Sequence, residues 1–390
     1  MKRVVLFVYI AFLLTATVRC IVPYDIEFTG FDQVVVVDGV VSTQFKKHKI
    51  ILSYTHPIEY SQSSSLQGAQ VWVEDNVGTT YNFIENSPGE YYSELEFAAR
   101  DDRDYQLFFK TEEGKLYQSD KNRPINSPPI DRIFNRYADI IPSNSSEQEK
   151  GIQFFLDSND PTGMAKHFRY EWEETYKIVT PYTSNYQYDI DRDEIILRET
   201  PINICYSGNS STSLILGTTV GSSVNRIAEL PIRFVSGETD ILRNRYSILV
   251  RQFAVNNTTY NYYQRIKDSE RRGSLFDEQQ GSVIGNVSSV DNPVETVLGN
   301  FEVSGVSVKR VFFDFADLDN QLLFPSYRYN CTSDELVGTS LDSLLYYVQR
   351  DYNIIAPAVL DADPQVTLGL RYCTDCTTFA SSIKPDFWID

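Results

Sequence analysis

The residues best suited to chemistry in this sequence are five cysteines, two of which stand near the carboxyl end in a C-x-x-C spacing. These two are Cys373 and Cys376, and the others are Cys20, Cys205 and Cys331. A C-x-x-C pair can bind a metal, exchange electrons or form structural disulfides. The surrounding sequence has to distinguish these roles.

The surroundings of the C-x-x-C pair favour a structural role. Zinc would need a second ligand pair or nearby histidines, and the three histidines, His48, His56 and His167, are distant in sequence. A redox pair would follow a strand at the start of a helix in a βαβ unit, whereas the flanks VTLGLRY and TTFASS indicate a strand and a loop. We therefore predict disulfides and expect neither a metal nor a cofactor.

The four cysteines beyond residue 200 allow three disulfide connectivities. By loop-closure entropy, a Cys373–Cys376 bridge would contribute about 2 kcal/mol, a Cys331–Cys373 bridge about 4, and a bridge from Cys205 to either terminal cysteine about 5. We favour the long-range arrangement, in which Cys205 and Cys331 each pair with one terminal cysteine. The local bridge is the alternative, because a turn between the two terminal cysteines would permit it.

Two acidic segments are the other candidates for chemistry: YDIDRDE, with its carboxylates at 189–194, and DFADLD at 314–319. Either could supply a calcium loop or the acid pair of a glycosidase. Asp189, Asp191 and Asp193 alternate, but the glycine of a calcium loop does not follow. GNSSTS and GTTVGSS lack the contexts of a serine nucleophile and a phosphate loop. We interpret both acidic segments as solvated loops and predict no catalytic residue.

Composition excludes one class of partner. The net charge is −18 over 390 residues, and an acidic surface repels phosphate backbones, so we expect no nucleic acid. The hydrophobic share of 42% is that of a folded protein. The 26 Tyr and 23 Phe against only 2 Met favour strands over helices.

The amino-terminal residues are typical of an export signal. Two basic residues precede an apolar stretch, Val4 to Leu14, that is too short to span a bilayer comfortably. Cys20 stands where a bacterial lipoprotein carries its lipidated cysteine, although Arg19 replaces the usual small residue. We predict a signal peptide over 1–19, lipidation of Cys20 and a lipid-anchored tether over 20–31.

Strand signals dominate the next segment, 32–123. Turn residues recur at intervals of roughly 8 to 15 residues, without helical periodicity. They are Asp38-Gly39, which would break a strand, Asn76 to Gly78, Pro88-Gly89 and Glu113-Gly114. This spacing predicts an immunoglobulin-like β-sandwich.

The pattern changes at KNRPINSPPIDRIF and the polar PSNSSEQEK, which predict a connector over 124–150. Strand patterns then resume and predict a larger β-rich domain over 151–390, which ends in the disulfide region. One helix is expected from Asn257 or Thr258, either a usable cap, to Gly273. SLDSLLYYVQRD is a second, weaker helical candidate. The overall fold class is therefore all-β, with one or two short helices.

Several aromatic residues could form either core or a ligand platform. Strands and amphipathic helices bury their aromatics first, so we predict core positions for Trp72, Trp172 and the Tyr262-Tyr263 pair. If the terminal cysteines are clamped, the PDFW segment would be pinned, with Phe387 and Trp388 packed against the sheet.

The order of these segments resembles a family of exported Bacteroidota lipoproteins, domain of unknown function 4249. The resemblance runs from about residue 20 to the terminus. Its segments are VVVDGVVS, GAQVWVED, PGEYYS and GKLYQSD in the first domain, and RYEWEETY, the CY at Cys205-Tyr206, LVRQFAVNNTTYNYYQ, GSLFDEQQGSVIGNV, VLGNFEVSGV and CTDC…KPDFW in the second.

The resemblance implies location and partners more than chemistry. It implies an outer-membrane lipoprotein, lipid-anchored and exposed at the cell surface, that accompanies a TonB-dependent β-barrel receptor. The resemblance assigns no catalytic residue and no ligand-binding residue to this sequence. We therefore expect a non-catalytic binding or accessory subunit of such a receptor or uptake system. A structural or adhesive surface module is the alternative, followed by an exported hydrolase.

Overall fold

The computed structural model describes residues 33–56, 64–141, 147–272, 285–331, 337–360 and 363–390. The predicted signal peptide, Cys20 and the tether over 20–31 lie outside the described residues, as does Gly273, the predicted end of the first helix. With 49% strand and 9% helix, the chain has the all-β fold predicted from its sequence. In the part of the chain described, no helix has both the length and the apolar character needed to cross a membrane.

The strands are β1 (Val35–Ser42), β2 (Lys49–Tyr54), β3 (Ser64–Ser65), β4 (Gln70–Asp75), β5 (Thr80–Ser87), β6 (Glu90–Ser93), β7 (Tyr105–Lys110), β8 (Leu116–Ser119), β9 (Ile130–Ile140), β10 (Glu149–Asn159), β11 (His167–Val179), β12 (Tyr186–Asp189), β13 (Glu194–Leu197), β14 (Ile204–Ser210), β15 (Ile215–Thr218), β16 (Arg226–Ser236), β17 (Tyr246–Val255), β18 (Val287–Ser289), β19 (Val297–Phe313), β20 (Val337–Ser340), β21 (Tyr352–Leu360) and β22 (Asp363–Leu370). The helices are α1 (Asn257–Arg272), α2 (Leu341–Val348) and the single turn α3 (Arg371–Thr374), and 3₁₀ turns cover Phe315–Asp317 and Cys376–Thr378.

The amino-terminal strands have the immunoglobulin order. They are hydrogen-bonded in the sequence β1-β2-β6-β5-β4-β7-β8, which corresponds to an ABED sheet followed by a CFG sheet. Pairing of β5 with β4 joins the two sheets. Both sheets contribute to one core, which includes Val37, Leu52, Val73, Tyr91 and Leu107. The predicted immunoglobulin-like sandwich is therefore present.

One predicted break is wrong. Asp38-Gly39 was expected to interrupt the first strand, but β1 runs through it. Pairing with β2 on one side and β19 on the other outweighs the turn preference of the dipeptide. The glycine also serves packing, because a Cβ at Gly39 would lie 3.2 Å from Ile50 and 3.3 Å from Phe301.

The first sandwich is not confined to the predicted range 32–123. β18 pairs with β8, and the first half of β19 pairs in parallel with β1. Phe301 of β19 is fully buried in the amino-terminal core. Gly299 of β19 has a φ of +100°, and a Cβ there would lie 1.9 Å from the carbonyl oxygen of Val37. The range 32–123 therefore lacks two of the strands that complete its fold, and local strand patterns could not indicate this.

A second sandwich follows. One sheet has the order β14-β11-β17-β19, with β15 also on β11, and the other has the order β16-β10-β9. Side chains from both sheets form a core that includes Phe154, Tyr170, Val235 and Ile248. The second half of β19 belongs to this sandwich, where it pairs with β17.

The range 124–150, predicted as a connector, contains a long strand. β9 occupies 130–140 and pairs along its length with β10. Ile130 and Ile133 are buried in the second core. The proline-rich stretch ends at Pro129, and a strand can begin directly after it because Pro restricts only its own φ and the residue before it.

A third, smaller core lies near the carboxyl end. The sheet β20-β22-β21 and helix α2 surround Leu344, Ile354, Val366 and Leu368. Tyr186, Tyr188 and Ile195 of the β12–β13 hairpin pack against them. The weaker helical prediction for SLDSLLYYVQRD is confirmed by α2.

The residue that caps the start of helix α1 lies one position before the first of the two predicted caps. Asn256, rather than Asn257 or Thr258, is the cap, because its side-chain oxygen accepts a 2.8 Å hydrogen bond from the backbone N–H of Thr259. This geometry satisfies one of the free donors at the helix start.

The buried imidazole of His48 makes the stability of the protein depend on pH. Its Nε2 donates to the carbonyl oxygen of Phe97 at 2.8 Å, and burial lowers the pKa of His48 from 6.5 to about 4. Between pH 6.5 and about 4, His48 is therefore protonated in the unfolded chain but neutral in the folded protein. This contribution to stability is complete above pH 6.5 and is lost as the pH falls towards 4.

We expect the free energy of unfolding to fall by about 3 kcal/mol more for the native protein than for His48→Gln between pH 7 and pH 4. Gln keeps a donor towards Phe97 but does not titrate. Urea unfolding of both proteins across this range measures the difference. Parallel stability profiles would contradict the assignment of this titration to His48.

Candidate functional site

The four predicted disulfide cysteines form two bridges. Cys205 pairs with Cys376 and Cys331 pairs with Cys373, with Cα–Cα distances of 5.9 and 5.8 Å. This is the long-range arrangement favoured from the sequence, and the local bridge does not form. The two cysteines of the C-x-x-C motif lie in two consecutive turns, Cys373 in α3 and Cys376 in a 3₁₀ turn. Each sulfur bonds to a different distant cysteine.

The chain end is pinned as predicted. Trp388 is buried, with its ring 5.0 Å from that of Tyr206 and 5.6 Å from that of Phe312. The ring of Phe387 lies 3.5 Å from the guanidinium of Arg310. The last residues therefore cover one end of the outer face of the second sandwich.

The acidic segment YDIDRDE forms the turn between β12 and β13. The Asp189 carboxylate accepts hydrogen bonds from the backbone N–H groups of Asp191 and Arg192 at 3.0 and 3.2 Å. Arg192 forms ion pairs with Asp189 and Glu194. In DFADLD, Asp319 likewise accepts from backbone N–H groups. These carboxylates stabilise turns, and no cluster of metal-ligand type occurs among the described residues.

The aromatic predictions are partly correct. Trp172 is buried in the second core, where Arg233 lies 4.6 Å above its ring. Trp72 is only half-buried and stacks on Phe108 at 5.6 Å. It lies on the outward side of β4, because its neighbours in the strand face the core. The alternating residues of β4 predicted its two faces but not which of them packs against the core.

A buried cluster of charges lies where the two sandwiches meet, on the outer face of the shared sheet. Arg169 of β11 and Glu302 of β19 form a two-pronged ion pair with distances of 2.9 and 3.1 Å. Their side chains are only 7% and 1% exposed. A pair buried this deeply is costly unless further hydrogen bonds satisfy both groups.

Those further bonds are present. The Tyr263 hydroxyl of α1 donates to Glu302 at 2.9 Å, and the Ser304 hydroxyl donates to it at 2.7 Å. The guanidinium of Arg169 lies 4.0 Å from the centre of the Phe253 ring. Burial alone would lower the pKa of Arg169, but the charge of Glu302 holds it well above its ordinary value. The cluster therefore fixes α1 to the sheet.

Asp38 lies beside this cluster. Its side chain reaches solvent, yet burial among surrounding groups raises its pKa, while the charge of Arg169 opposes the shift. Burial, with the charge of Asp38 adding to it, raises the pKa of Tyr262 to about 12. The charge of Asp38 therefore acts on both the buried pair and helix α1.

Beyond the buried pair the same sheet face is open. We call this surface the junction face and define it by Lys46, Glu171, Glu173, Arg251 and Val308. Cross-strand pairing places Arg251 between Glu171 and Val308, and Arg251 donates to Glu173 at 2.7 Å. Glu171, Glu173 and Val308 are 43%, 48% and 44% exposed.

The junction face has a helix at one end and the chain terminus at the other. At one end Tyr260 of α1 stacks near His167, with ring centres 4.4 Å apart. At the other, Lys177 lies 3.5 Å from Asp390. The junction face carries charges of both signs. Burial, and then the positive charge of Arg251, lowers the pKa of Lys46. The surface is chemically suited to binding a partner with complementary charges.

Sequence reasoning missed this cluster. The alternation of charged and aromatic residues in RYEWEETY was the available signal, since it places Arg169, Glu171 and Glu173 on one face of a strand. Their main partner, Glu302, follows Arg169 by 133 residues. A single sequence gives no means of joining the two.

One family model matches the chain, that of a domain of unknown function (DUF4249), over residues 21–310. The match starts directly after Cys20 and includes most of β19, and therefore both sandwiches. The cysteines at 331, 373 and 376 lie beyond it. No curated protein matches the chain significantly.

The disulfide assignment is tested by mapping peptides without reduction. Trypsin leaves Cys373 and Cys376 in one peptide, so a second cleavage before Asp375 is needed to separate them. We expect Cys373 to be linked to the peptide of Cys331, and Cys376 to that of Cys205. Loss of the bridges should destabilise the protein by about 4 and about 5 kcal/mol respectively. A Cys373–Cys376 link, or four free thiols in protein from the cell envelope, would contradict the assignment.

The buried pair is tested by substituting each carboxylate partner of Arg169. Glu302→Gln should lower the free energy of unfolding by about 3 kcal/mol or more, because it removes the buried counter-ion of Arg169 and leaves only the exposed one, Glu171. Glu171→Gln, the matched control at the exposed partner, should cost less than about 1 kcal/mol. Urea unfolding at constant pH gives both values. An equal decrease in the free energy of unfolding in the two variants would show that the buried pair contributes no more to stability than the exposed one.

Proposed function

The chain belongs to the DUF4249 family, and from this membership we propose that it is an exported outer-membrane lipoprotein that serves as a non-catalytic binding or accessory subunit of a TonB-dependent receptor or uptake system. The amino-terminal pattern supports export and anchoring, with a signal over 1–19 and lipidation of Cys20. Two acyl chains on one cysteine are sufficient for stable membrane attachment. The residues 20–31 would then be the tether between membrane and first sandwich.

The observation that carries the binding role is the junction face. It lies in the middle of a continuous sheet, where backbone groups are paired on both sides, so its side chains are presented on a rigid floor. The inner charges, Arg169 and Glu302, satisfy one another. The outer charges, Glu171, Glu173 and Arg251, reach solvent in a fixed geometry beside an exposed Val308.

Such a surface supports partner binding through complementarity rather than chemistry. Mixed charges around an apolar residue select partners by matching opposite charges, and the penalty for a mismatched charge provides specificity. The two disulfides also support an extracytoplasmic location, since such bridges persist in oxidising compartments.

Anchoring is tested with Cys20→Ser. The variant should leave the membrane fraction or accumulate unprocessed, because it lacks the thiol to which the diacylglyceryl group is attached. Unchanged membrane association, measured by fractionation and immunoblotting, would contradict lipidation at this residue.

Partner binding is tested by gentle detergent extraction of the tagged native protein from outer membranes, followed by mass spectrometry of what copurifies. We expect a TonB-dependent barrel with the native protein. Glu173→Lys, on the junction face, should lose it. Glu113→Lys, at an exposed turn of the first sandwich, is the matched control and should retain it.

Absence of a barrel from the native complex would overturn the accessory role and favour the adhesive alternative. A barrel that copurifies equally with Glu173→Lys would leave the partner in place but show that the junction face does not bind it. Both variants should be checked for unchanged unfolding behaviour before the comparison.

A further inference from the structure

A cavity of about 320 Å³ lies between the β12–β13 hairpin, the end of α2, β21 and the carboxyl-terminal turns. Its volume is at the lower end of the range for small-molecule sites. Most of its lining can form hydrogen bonds, through Gln187, Tyr188, Arg198, Asn353, Arg371 and Thr378. It shares no residue with the junction face.

Arg198 is the central feature of this cavity. It is half-buried, and its guanidinium donates to three neutral oxygens among the described residues, those of Gln187 at 3.2 Å, Asn353 at 3.4 Å and Ser184 at 3.4 Å. No carboxylate within the described ranges forms an ion pair with it. Arg328, whose side chain is also partly buried, instead makes two bonds of 2.8 and 2.9 Å with one carboxylate, that of Asp240.

A second guanidinium faces the same cavity. Arg371 starts α3, and its ion pair with the exposed Asp351 is long, at 3.7 Å. Asp375 also lines the cavity, but one of its carboxylate oxygens is occupied by the backbone N–H and hydroxyl of Thr377, at 2.9 and 2.6 Å. Burial lowers the pKa of Arg198, and Arg371 lowers it further while Asp375 opposes the shift. An additional negative charge would therefore stabilise the pair of arginines.

The disulfides hold the cavity wall in place. Cys373 and Cys376 lie in the turns that carry Arg371 and Asp375, and each is bridged to a distant part of the chain. Asn353 is also positioned, because its side-chain amide donates to the hydroxyl of Thr374 at 3.0 Å. A site fixed before the ligand arrives loses less entropy on binding.

We propose that this cavity binds the oxyanion group, carboxylate or phosphate, of a small polar ligand between Arg198 and Arg371. A guanidinium matches either group with two parallel hydrogen bonds. The neutral side chains of Gln187, Asn353 and Thr378 are placed to bond hydroxyl or amide groups next to the charge. The site goes beyond the proposed receptor partnership and does not depend on it.

Because the protein as a whole is negatively charged, anion binding would indicate a specific site. At a net charge of −18, the field of the whole protein repels small anions, most strongly at low ionic strength. Saturable binding of an anion under these conditions therefore requires a local site.

The test is calorimetric titration of the purified, oxidised protein with inorganic phosphate, acetate and glucuronate at an ionic strength on the order of 0.01 M. We expect saturable binding of at least one anion. Phosphate alone would identify a phosphorylated ligand, and acetate with tighter glucuronate a carboxylated, hydroxyl-bearing one. Arg198→Gln should weaken binding about tenfold or more, the range for a hydrogen bond to a charged group. Arg371→Gln should weaken it in the same direction.

Arg192→Gln is the matched control, because this exposed arginine lies on the same hairpin but outside the cavity. It should leave binding unchanged. The proposal is overturned if the native protein binds none of the three anions, if Arg198→Gln binds as tightly as the native protein, or if Arg192→Gln weakens binding equally. Unfolding midpoints of the variants, measured without anion, should differ little from the native one, and Arg371→Gln keeps the test valid if Arg198→Gln does not fold.

Discussion

The structure depends on one strand that serves two sandwiches. β19 pairs in parallel with β1 from Val297 to Ser304, and antiparallel with β17 from Gly305 to Phe313. Side chains in a strand alternate between faces, so a shift by one residue would exchange every inward and outward side chain. Phe301 would leave the first core at the same time as Phe313 left its contacts with the second. The two sandwiches are therefore held in one register and form a continuous sheet.

The buried ion pair lies where β19 changes partners. Glu302 points away from the first core, towards Arg169 of the second sandwich and Tyr263 of α1. In a shifted register this carboxylate would be buried among apolar side chains without a counter-ion, which is far more costly than the native arrangement. The pair therefore contributes to the choice of register as well as to the attachment of α1. The exposed part of the same face, around Glu173 and Arg251, is then available for binding because the inner charges are already matched.

The carboxyl-terminal region is stabilised differently. Among the residues that the structure describes, its own core contains four fully buried apolar side chains, Leu344, Ile354, Val366 and Leu368, and small cores commonly depend on disulfides. The bridges from Cys376 to Cys205 and from Cys373 to Cys331 connect it to β14 and to the segment after β19. The C-x-x-C motif thus acts as two separate clamps. The same clamps fix the turns that carry Arg371 and Asp375, and so shape the cavity around Arg198.

The sequence by itself determined what depends on neighbouring residues. Strand alternation and turn dipeptides such as Pro88-Gly89 predicted the immunoglobulin-like sandwich, and loop-closure entropy ranked the disulfide pairings correctly. Local patterns gave wrong strand boundaries where tertiary contacts determine them. Asp38-Gly39 lies within a paired strand rather than at a break, and Ile130 begins a strand within the predicted connector. The completion of the first sandwich by β18 and β19, the Arg169–Glu302 pair and the unpaired Arg198 were decided only in three dimensions. The added strands and the ion pair join residues more than a hundred positions apart, and the surroundings of Arg198 depend on which side chains the fold brings to it. Neither property leaves a periodic trace in a single sequence.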